Sequence, residues 1–498
     1  MTVNGNRVLI KQRIKEITGK QLIMKDVHNL AAKLKRAKTS TVEGVCKIID
    51  DQFPHYSYKL AVVGTEVRGI MLQSNQMRRD FDKYPELLFA DSTYKLNDDD
   101  MPLYAMVAVD GNNRTRPVCV FIVTNETEAT LSSMLGMFKE DNDAWTRTQV
   151  VLTDKDFTER SCFKQALPQI SLQICLFHVK RNFGREVTTS KHNITSSERE
   201  EYLAYIERLV HSKSEDDYQR VLAEFFENCP SESVRLYYTS NWHHIRDQWV
   251  CGLVAKLRNF GHRTTNCVEQ FFRTVKNLIS ERRDIQTFIH ELLTCIDNIQ
   301  HEYTHKQLFA SITHPTTQET LPTGLSPNYI STLTPHAFRL LVVQMEMVDN
   351  VTIISHDTVL SAGQPIKPTE SECPCDTSSR SGLPCRHMLA LQIHNNKSTF
   401  LPHAIAIRNT SEYNTHSSHT TTTVAPPTST ISLQAITTTN INTPNGKYKT
   451  ARLILDAAAS AMSRMGAERF RHEEARCRAF ADSVVLGTRY HEPTAAGK

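Results

Sequence analysis

The sequence predicts a mixed α/β protein, because strand patterns alternate with helical patterns through its first half. Apolar runs at 87–91, 103–109 and 118–123 predict strands, and Asp110-Gly111-Asn112-Asn113 predicts a hairpin between the last two. The pattern then predicts a helix, a strand, a helix and a strand at 126–138, 150–154, 157–167 and 172–179. This order is typical of one mixed sheet with helices packed against it.

The composition excludes several classes of protein. The chain has 498 residues, of which 40% are hydrophobic and 22% charged, as in globular proteins of several domains. It contains no run of 18 apolar residues and no apolar signal-peptide core at its start, so we expect neither a membrane-spanning nor a secreted protein. Most of its 12 cysteines are scattered through apolar segments, which predicts free thiols in a reducing compartment.

Positive charge is concentrated at the N-terminus. The overall net charge of +4 is too small to predict a nucleic-acid partner, but residues 1–40 hold ten lysines and arginines against two acids. Apolar residues at helical spacing across 7–50 predict two or three short basic helices. These helices either contact phosphates or present a solvated charged face, and both interpretations remain open.

The middle and the C-terminal part of the chain are predicted to be helical, apart from one linker. Residues 190–262 lack strand patterns, and we expect Trp242 and Trp249 to pack in a core. A long helix is predicted from 266 to 303. Residues 409–445 are rich in Thr, Ser, Asn and Pro and predict a disordered linker, which a helix over 453–485 follows.

The most informative chemical pattern is Cys373-Pro374-Cys375, followed after nine residues by Cys385-Arg386-His387. Three thiolates and one imidazole are a tetrahedral ligand set for Zn²⁺, and four protein ligands leave no open position, which predicts a structural zinc site. The alternative is a chance cluster of buried cysteines. The spacing resembles the SWIM zinc finger, Cys-x-Cys-x(n)-Cys-x-His. Flanking strand patterns at 351–354 and 358–360 and a helical pattern at 385–392 agree with that resemblance.

Two predicted strands end in an aspartate, Asp91 and Asp154. Functional groups collect at the carboxyl ends of strands in α/β sheets, and paired carboxylates are typical ligands of divalent cations. The pattern alone is weak evidence, because aspartates also occur at strand ends as turn formers.

Four short motifs around these acids resemble the Mutator-like transposase domain. They are Asp91-Ser92-Thr93-Tyr94-Lys95, Thr153-Asp154-Lys155-Asp156, Cys175-Leu176-Phe177-His178 and Thr265-Asn266-Cys267-Val268-Glu269-Gln270-Phe271-Phe272. Their order, together with the C-terminal finger, resembles more narrowly the animal SWIM-domain proteins 1 and 3, over roughly residues 7–395.

The resemblance implies an RNase H-like core with an all-helical insertion, plus a small C-terminal SWIM zinc finger. It also implies a catalytic triad of Asp91, Asp154 and Glu269, which would hold two Mg²⁺ or Mn²⁺ ions. On the predicted helix Glu269 shares a face with two basic residues that could contact phosphates. The Cys175-x-x-His178 element would lie near the triad, and we favour a buried thiol with an orienting histidine over a metal site.

The predicted organisation has six parts. They are an N-terminal basic helical region (1–84), an RNase H-like domain (85–305) with a helical insertion at about 186–262, a connecting helical region (306–349), a SWIM zinc finger (350–395), a disordered linker (396–448) and a C-terminal helix (449–487).

Two functional hypotheses follow from this organisation. The first is a domesticated nuclear factor that binds DNA or protein partners through the zinc finger. The second is an active metal-dependent transposase that cuts and joins DNA strands. The presence of all three acids favours the second hypothesis. The resemblance implies a DNA-binding zinc domain ahead of the basic helices; the sequence shows none there, which favours the first.

Overall fold

A computed structural model of the chain describes residues 41–63, 66–279, 282–312, 321–361 and 363–415. The strands are β1 Tyr56–Val63, β2 Glu66–Ser74, β3 Leu87–Thr93, β4 Leu103–Val109, β5 Thr115–Val123, β6 Val150–Thr153, β7 Ser171–Ile174, β8 Ile353–Ser355, β9 Thr358–Ser361 and β10 Gln364–Ile366. The helices are α1 Val42–Gln52, α2 Asn75–Lys83, α3 Glu128–Asp141, α4 Phe157–Ala166, α5 Leu176–Glu186, α6 Thr189–His192, α7 Ser196–Val210, α8 Glu215–Asn228, α9 Glu232–Asn241, α10 Cys251–Val254, α11 Asn266–Leu278, α12 Ile285–Ile312, α13 Asn328–Thr332, α14 Pro335–Glu346, α15 Asp376–Ser381, α16 Arg386–His394 and α17 Ser411–Thr415. The predicted basic helices before residue 41 and the predicted helix over 453–485 lie outside the described residues.

Seven strands form one sheet in the order β1-β2-β5-β4-β3-β6-β7. The pairs from β1 to β3 are antiparallel, whereas β6 runs parallel to β3 and β7 runs parallel to β6. Every residue of β4 is buried, which explains why its sequence is continuously apolar rather than alternating. The mixed α/β prediction is therefore confirmed, and the sheet is consistent with an RNase H-like domain.

Helices cover both faces of this sheet. Because side chains alternate along a strand, Leu87 and Phe89 of β3 point to one face and Leu88 and Ala90 to the other. The first face packs against α1, α11 and α12, and the second packs against α3 and α4. The sheet is thus the central layer of a three-layer core.

The sheet begins before residue 85, where the RNase H-like domain was predicted to start. Strands β1 and β2 occupy residues that were assigned to the N-terminal basic helical region (1–84), so that part of the assignment is wrong. Strand β2 joins the sheet through β5, with Ile70 opposite Ile122. Valine and tyrosine are frequent in this segment, and such residues favour a pleated, half-buried surface over a helix.

Two predicted elements end sooner than expected. The strand predicted over 172–179 stops at Ile174, and α5 starts at Leu176, because Val179 and Phe183 are spaced to bury one helical face. The single helix predicted over 266–303 is two helices, α11 and α12. The second helix has a new N-terminus at Asp284, whose carboxylate accepts a hydrogen bond from the backbone N–H of Thr287 at 3.1 Å.

Helices α6 to α10 form an all-helical insertion between α5 and α11, with its own apolar core. Trp242 stacks on Phe183 with ring centroids 4.5 Å apart, and the Trp249 indole donates to the Trp242 carbonyl at 3.1 Å. Core packing of both tryptophans is thereby confirmed. None of the helices in the described part of the chain is both long and apolar enough to cross a bilayer.

The C-terminal cysteines lie in a small module with its own three-stranded sheet, β10-β9-β8, followed by α15 and α16. We call residues 353–394 the Cys/His module. The predicted disordered linker (396–448) is wrong for residues 396–415, which fold back onto the large sheet. There Arg408 forms an ion pair with Glu86 at 3.0 Å, and buried Asn414 accepts from the Tyr84 hydroxyl at 2.8 Å. The sequence did not indicate these two contacts, because the segment that makes them contains few apolar residues.

Candidate functional site: a Cys/His cluster and an acidic edge

The Cys/His module brings Cys373, Cys375, Cys385 and His387 together. One ligand atom from each lies within 4.8 Å of all the others. Among the described residues, no other set of three or more His, Cys, Asp or Glu side chains is gathered this closely. Nδ1 of His387 is 3.9 Å from Sγ of Cys373 and 3.8 Å from Sγ of Cys385. A tetrahedral zinc ion separates sulfur and nitrogen ligands by about 3.6 Å, so a small contraction would complete the site.

Local sequence explains how the four side chains meet. Cys375 is the N-cap of α15 and Cys385 is the N-cap of α16, so both precede a helix start. Between the helices Gly382 adopts a left-handed conformation with φ of +62°, which glycine tolerates without strain. The chain therefore reverses over a few residues and returns the second ligand pair to the first.

The chemistry of this cluster fits a cation. Hydrogen bonds from Cys373 and Cys385 lower the pKa of Cys375, whereas contact with Cys375 raises the pKa of Cys373 to about 12. Three crowded thiols thus oppose one another's ionisation, and a bound dication would offset that repulsion. All four side chains are at most 9% exposed, as expected for a closed structural site. The cluster could hold zinc.

Strand register brings two of the predicted catalytic acids to one level. In the parallel pair β3–β6, Leu87 lies opposite Val150 and Phe89 opposite Leu152. Continuing this register by two residues sets Asp91 level with Asp154, at the carboxyl ends of neighbouring strands. Both acids are in phase with the sheet face that α11 covers.

The third acid comes from that helix. Val268, Phe271 and Phe272 of α11 are buried against the sheet, and Glu269 is half-buried at the start of the same helix. Burial raises the pKa of Asp91 to about 6. Repulsion from Asp154 and Glu269 adds to this rise, while the Ser92 N–H and His178 oppose it. The Asp91 carboxylate therefore senses both other acids, although they lie far apart in sequence. The three acids are more loosely spaced than the Cys/His ligands, since their carboxylate oxygens do not all lie within 4.8 Å of one another.

The Cys175-x-x-His178 element lies beside this acidic edge. Sγ of Cys175 accepts hydrogen bonds from the backbone N–H and the hydroxyl of Thr265, both at 3.3 Å. Contact with the Cys175 thiol raises the pKa of His178, and the charges of Asp91 and Asp154 add to the effect. The element thus ties the end of β7 to the segment before α11, as a buried thiol and histidine would.

One acidic side chain near the edge was missed by sequence reasoning. Glu159 is buried on the opposite face of the sheet, where the Tyr104 hydroxyl donates to it at 2.7 Å. Burial raises its pKa well above the ordinary value, and Asp154 adds to the rise. In the sequence Glu159 looks like an ordinary acid in the first turn of α4, so no pattern distinguishes it.

Comparison with known proteins supports the class that this fold and site define. Residues 51–173 match the family model described as zinc finger SWIM domain-containing protein 1/3, RNaseH-like domain. The matched segment begins before β1 and ends within β7, so it includes Asp91 of β3 and Asp154, which directly follows β6. The fold and the Cys/His cluster together fit a zinc-binding SWIM-type protein.

A second similarity is more distant. The chain is 22% identical over 289 residues to the PKS-NRPS hybrid synthetase cheA of Chaetomium globosum. The match covers 52% of this chain and 6% of the synthetase, so the chain spans only a small part of that protein's length.

Proposed function

We propose that this chain is a zinc-binding SWIM-domain protein derived from a Mutator-like transposase. Its role would be that of a domesticated nuclear factor that binds DNA, and protein partners through the SWIM finger. The observation that carries the proposal is the Cys373, Cys375, Cys385 and His387 cluster, because its ligand set and spacing suit structural zinc. The family match of the preceding α/β domain supports the same class.

Contacts between the Cys/His module and the α/β core suggest that both act as one binding body. The backbone N–H of Phe260, in the segment before α11, donates to the carbonyl of Arg380 at 3.2 Å. After the module, Arg408 donates to the Val109 carbonyl and to Glu86 of the core. A ligand could therefore contact the core and the module together, because the two do not have to dock against each other first.

The zinc proposal is tested by elemental analysis of the purified full-length chain, with one zinc per chain expected. Cys375→Ser should abolish tight zinc binding, because three ligands hold the ion much more weakly. Cys46→Ser is the matched control, since Cys46 lies on α1 outside the cluster, and it should keep full zinc content. Zinc-free wild-type protein, or a Cys375→Ser variant with unchanged zinc, would overturn the proposal.

A second function is an active transposase or nuclease of the DDE type. The observation in its favour is the register of β3 and β6, which sets Asp91 level with Asp154 on the sheet face that is covered by α11, the helix of Glu269. Mg²⁺ or Mn²⁺ at these carboxylates would activate a water or a 3′-hydroxyl and stabilise the leaving oxygen. The residues of the chain would position the ions and the strand, and His178 at the same edge could orient a phosphate oxygen.

Cleavage of supercoiled plasmid in the presence of Mg²⁺ or Mn²⁺ tests the second function. Activity that Asp91→Asn and Glu269→Gln abolish, and that Asp99→Asn retains, would support it, because Asp99 is an exposed loop residue. Duplex binding without any cleavage would leave the domesticated binding protein as the function. A fluorescent fusion that is excluded from the nucleus would contradict the nuclear role.

A further inference from the structure

Two arginines lie on adjoining segments where the core meets the Cys/His module. Arg263 belongs to the segment before α11, and Arg380 belongs to α15. Both side chains are half-buried. The backbone N–H of Phe260, three residues before Arg263, donates to the Arg380 carbonyl at 3.2 Å, so the two arginines belong to adjoining segments. Burial lowers the pKa of Arg380, and repulsion from Arg263 lowers it further.

Neither guanidinium is neutralised by the protein. Within the described ranges, no carboxylate lies within 4 Å of Arg263 or Arg380, and neither side chain donates a hydrogen bond. Asp376 lies one helical turn before Arg380 and attracts its charge, but the two side chains do not form an ion pair. Two like charges held half-buried without a partner are unfavourable, and an anion between them would remove that cost.

The backbone holds both arginines firmly. Arg380 lies on α15, five residues after the candidate ligand Cys375. The first hydrogen bond of this helix is donated by the Ser379 N–H to the Cys375 carbonyl at 3.2 Å. On the core side, buried Asn259 donates to Gln173 of β7 at 2.8 Å. The Leu176 N–H donates to the Arg263 carbonyl at 2.8 Å. The pair is therefore positioned by the ligand cluster on one side and by the sheet on the other.

The connection between the two sides carries backbone strain. Phe260 has a φ of +52°, in the left-handed region that a bulky residue rarely adopts. This conformation accompanies the hydrogen bond from its N–H to the Arg380 carbonyl at 3.2 Å. Strained residues of this kind persist where the surrounding structure holds them and are frequent at functional sites.

A cleft of about 560 Å³ beside α15 extends the basic surface. Its lining includes Arg258, Lys367 and His403, together with the hydroxyl of Ser379, and Glu372 is the acid among its lining residues. Arg258 is exposed and has no ion-pair partner in the described part of the chain, whereas Lys367 pairs with Asp357 at 2.9 Å. Cations and hydroxyl groups in an open cleft suit a phosphodiester backbone better than an apolar peptide.

We propose that Arg263 of the core and Arg380 of the Cys/His module together bind a backbone phosphate of duplex DNA. This inference rests on the proposed DNA-binding function and assigns it to a surface. Planar guanidinium groups can each donate two parallel hydrogen bonds to phosphate oxygens, which lysine cannot do. A strand bound there would run between the acidic edge, where Arg263 meets Leu176, and the open cleft beside α15.

The test measures binding of a short labelled duplex by full-length, zinc-loaded protein across a salt series. The double variant Arg263→Gln/Arg380→Gln should bind at least about tenfold more weakly, and the slope of log affinity against log salt should fall by about 1 to 2. The matched control Lys47→Gln/Arg79→Gln also removes two charges, from exposed positions on α1 and α2, and should bind like wild type. Arg263→Lys/Arg380→Lys should restore most of the slope.

The outcomes separate this inference from the function on which it rests. If wild type binds duplex and the glutamine variant binds with unchanged affinity and slope, the arginine pair is not a phosphate site, although DNA binding stands. If wild type binds no duplex, the DNA-binding role and the inference both fail. Stabilisation of the protein by inorganic phosphate without duplex binding would identify a small-anion site and would overturn the proposal. Unchanged zinc content and an unfolding temperature no lower than that of wild type exclude misfolding of the variant.

Discussion

The acidic edge predicts an unusual result for Asp91→Asn, namely that loss of a charged group stabilises the protein. The Asp91 carboxyl has a pKa of about 6 in the folded chain, against an ordinary value of 3.8. Ionising it at neutral pH therefore costs the folded state about 3 kcal/mol at most, because each tenfold change corresponds to about 1.4 kcal/mol. Asparagine avoids this cost, and its side-chain oxygen can still accept the bond that the Ser92 N–H donates at 2.8 Å.

The sign of the effect depends on pH. Between about pH 4 and pH 6 the folded chain binds more protons than the unfolded chain at this group, so the stability of wild type falls as pH rises. The variant lacks this dependence. We expect Asp91→Asn to raise the free energy of unfolding by about 1–3 kcal/mol at pH 7, and to give no gain near pH 4.

Urea unfolding at pH 7 and near pH 4 measures this difference. The exposed control Asp99→Asn should change the free energy of unfolding by less than about 0.5 kcal/mol at either pH. A destabilised Asp91→Asn variant, or a gain that is the same at both pH values, would refute the raised pKa of Asp91, which burial causes first and to which the charges of Asp154 and Glu269 add. Addition of Mg²⁺ should stabilise wild type more than Asp91→Asn if the acids bind the ion.

Three further predictions concern the Cys/His module, its return to the core and the N-terminus. Gly382→Ala should destabilise the module by about 2 kcal/mol and speed zinc loss to a chelator, because its new Cβ would lie 2.6 Å from that of Ala406 at a φ of +62°. Unchanged chelation kinetics would contradict this. Arg408→Ala should lower the free energy of unfolding by about 3–5 kcal/mol, since it leaves Glu86 without its partner, while Arg79→Ala should change it little. Deletion of residues 1–40 should flatten the salt dependence of DNA binding if the basic segment contacts phosphates, and an unchanged slope would mean a solvated face.

The parts of the fold that could be predicted from sequence are those with a short-range cause. Strands β3 and β4 are buried on both faces, so their runs of apolar residues are visible without knowledge of their neighbours. Strands β1 and β2 were left outside the predicted domain because their mixed polar and apolar residues do not indicate that they pair with the buried strands that follow. The end of β7 was misplaced because a short apolar segment fits a strand and a helix equally well.

The candidate sites divide in the same way. The four candidate zinc ligands lie within 15 residues of one another, so their spacing alone indicates that they can meet. Asp91, Asp154 and Glu269 could be grouped only through resemblance to a family, because their convergence depends on strand order and on how α11 packs. The proximity of Arg263 and Arg380 depends on how the module packs against the core, and no local sequence pattern predicts it.

The segment from Phe260 to Glu269 determines which experiments can separate the two functions. Phe260 contacts the Cys/His module, Thr265 holds the Cys175 thiol, and Glu269 follows on the same short stretch of chain. Removing zinc should loosen the module and with it the contact at Phe260. Loss of zinc would therefore weaken DNA binding and catalysis alike. Asp91→Asn changes the acidic edge and leaves the module intact. A protein that binds duplex equally well with and without this substitution, and never cleaves it, would use its RNase H-like core as a scaffold for binding.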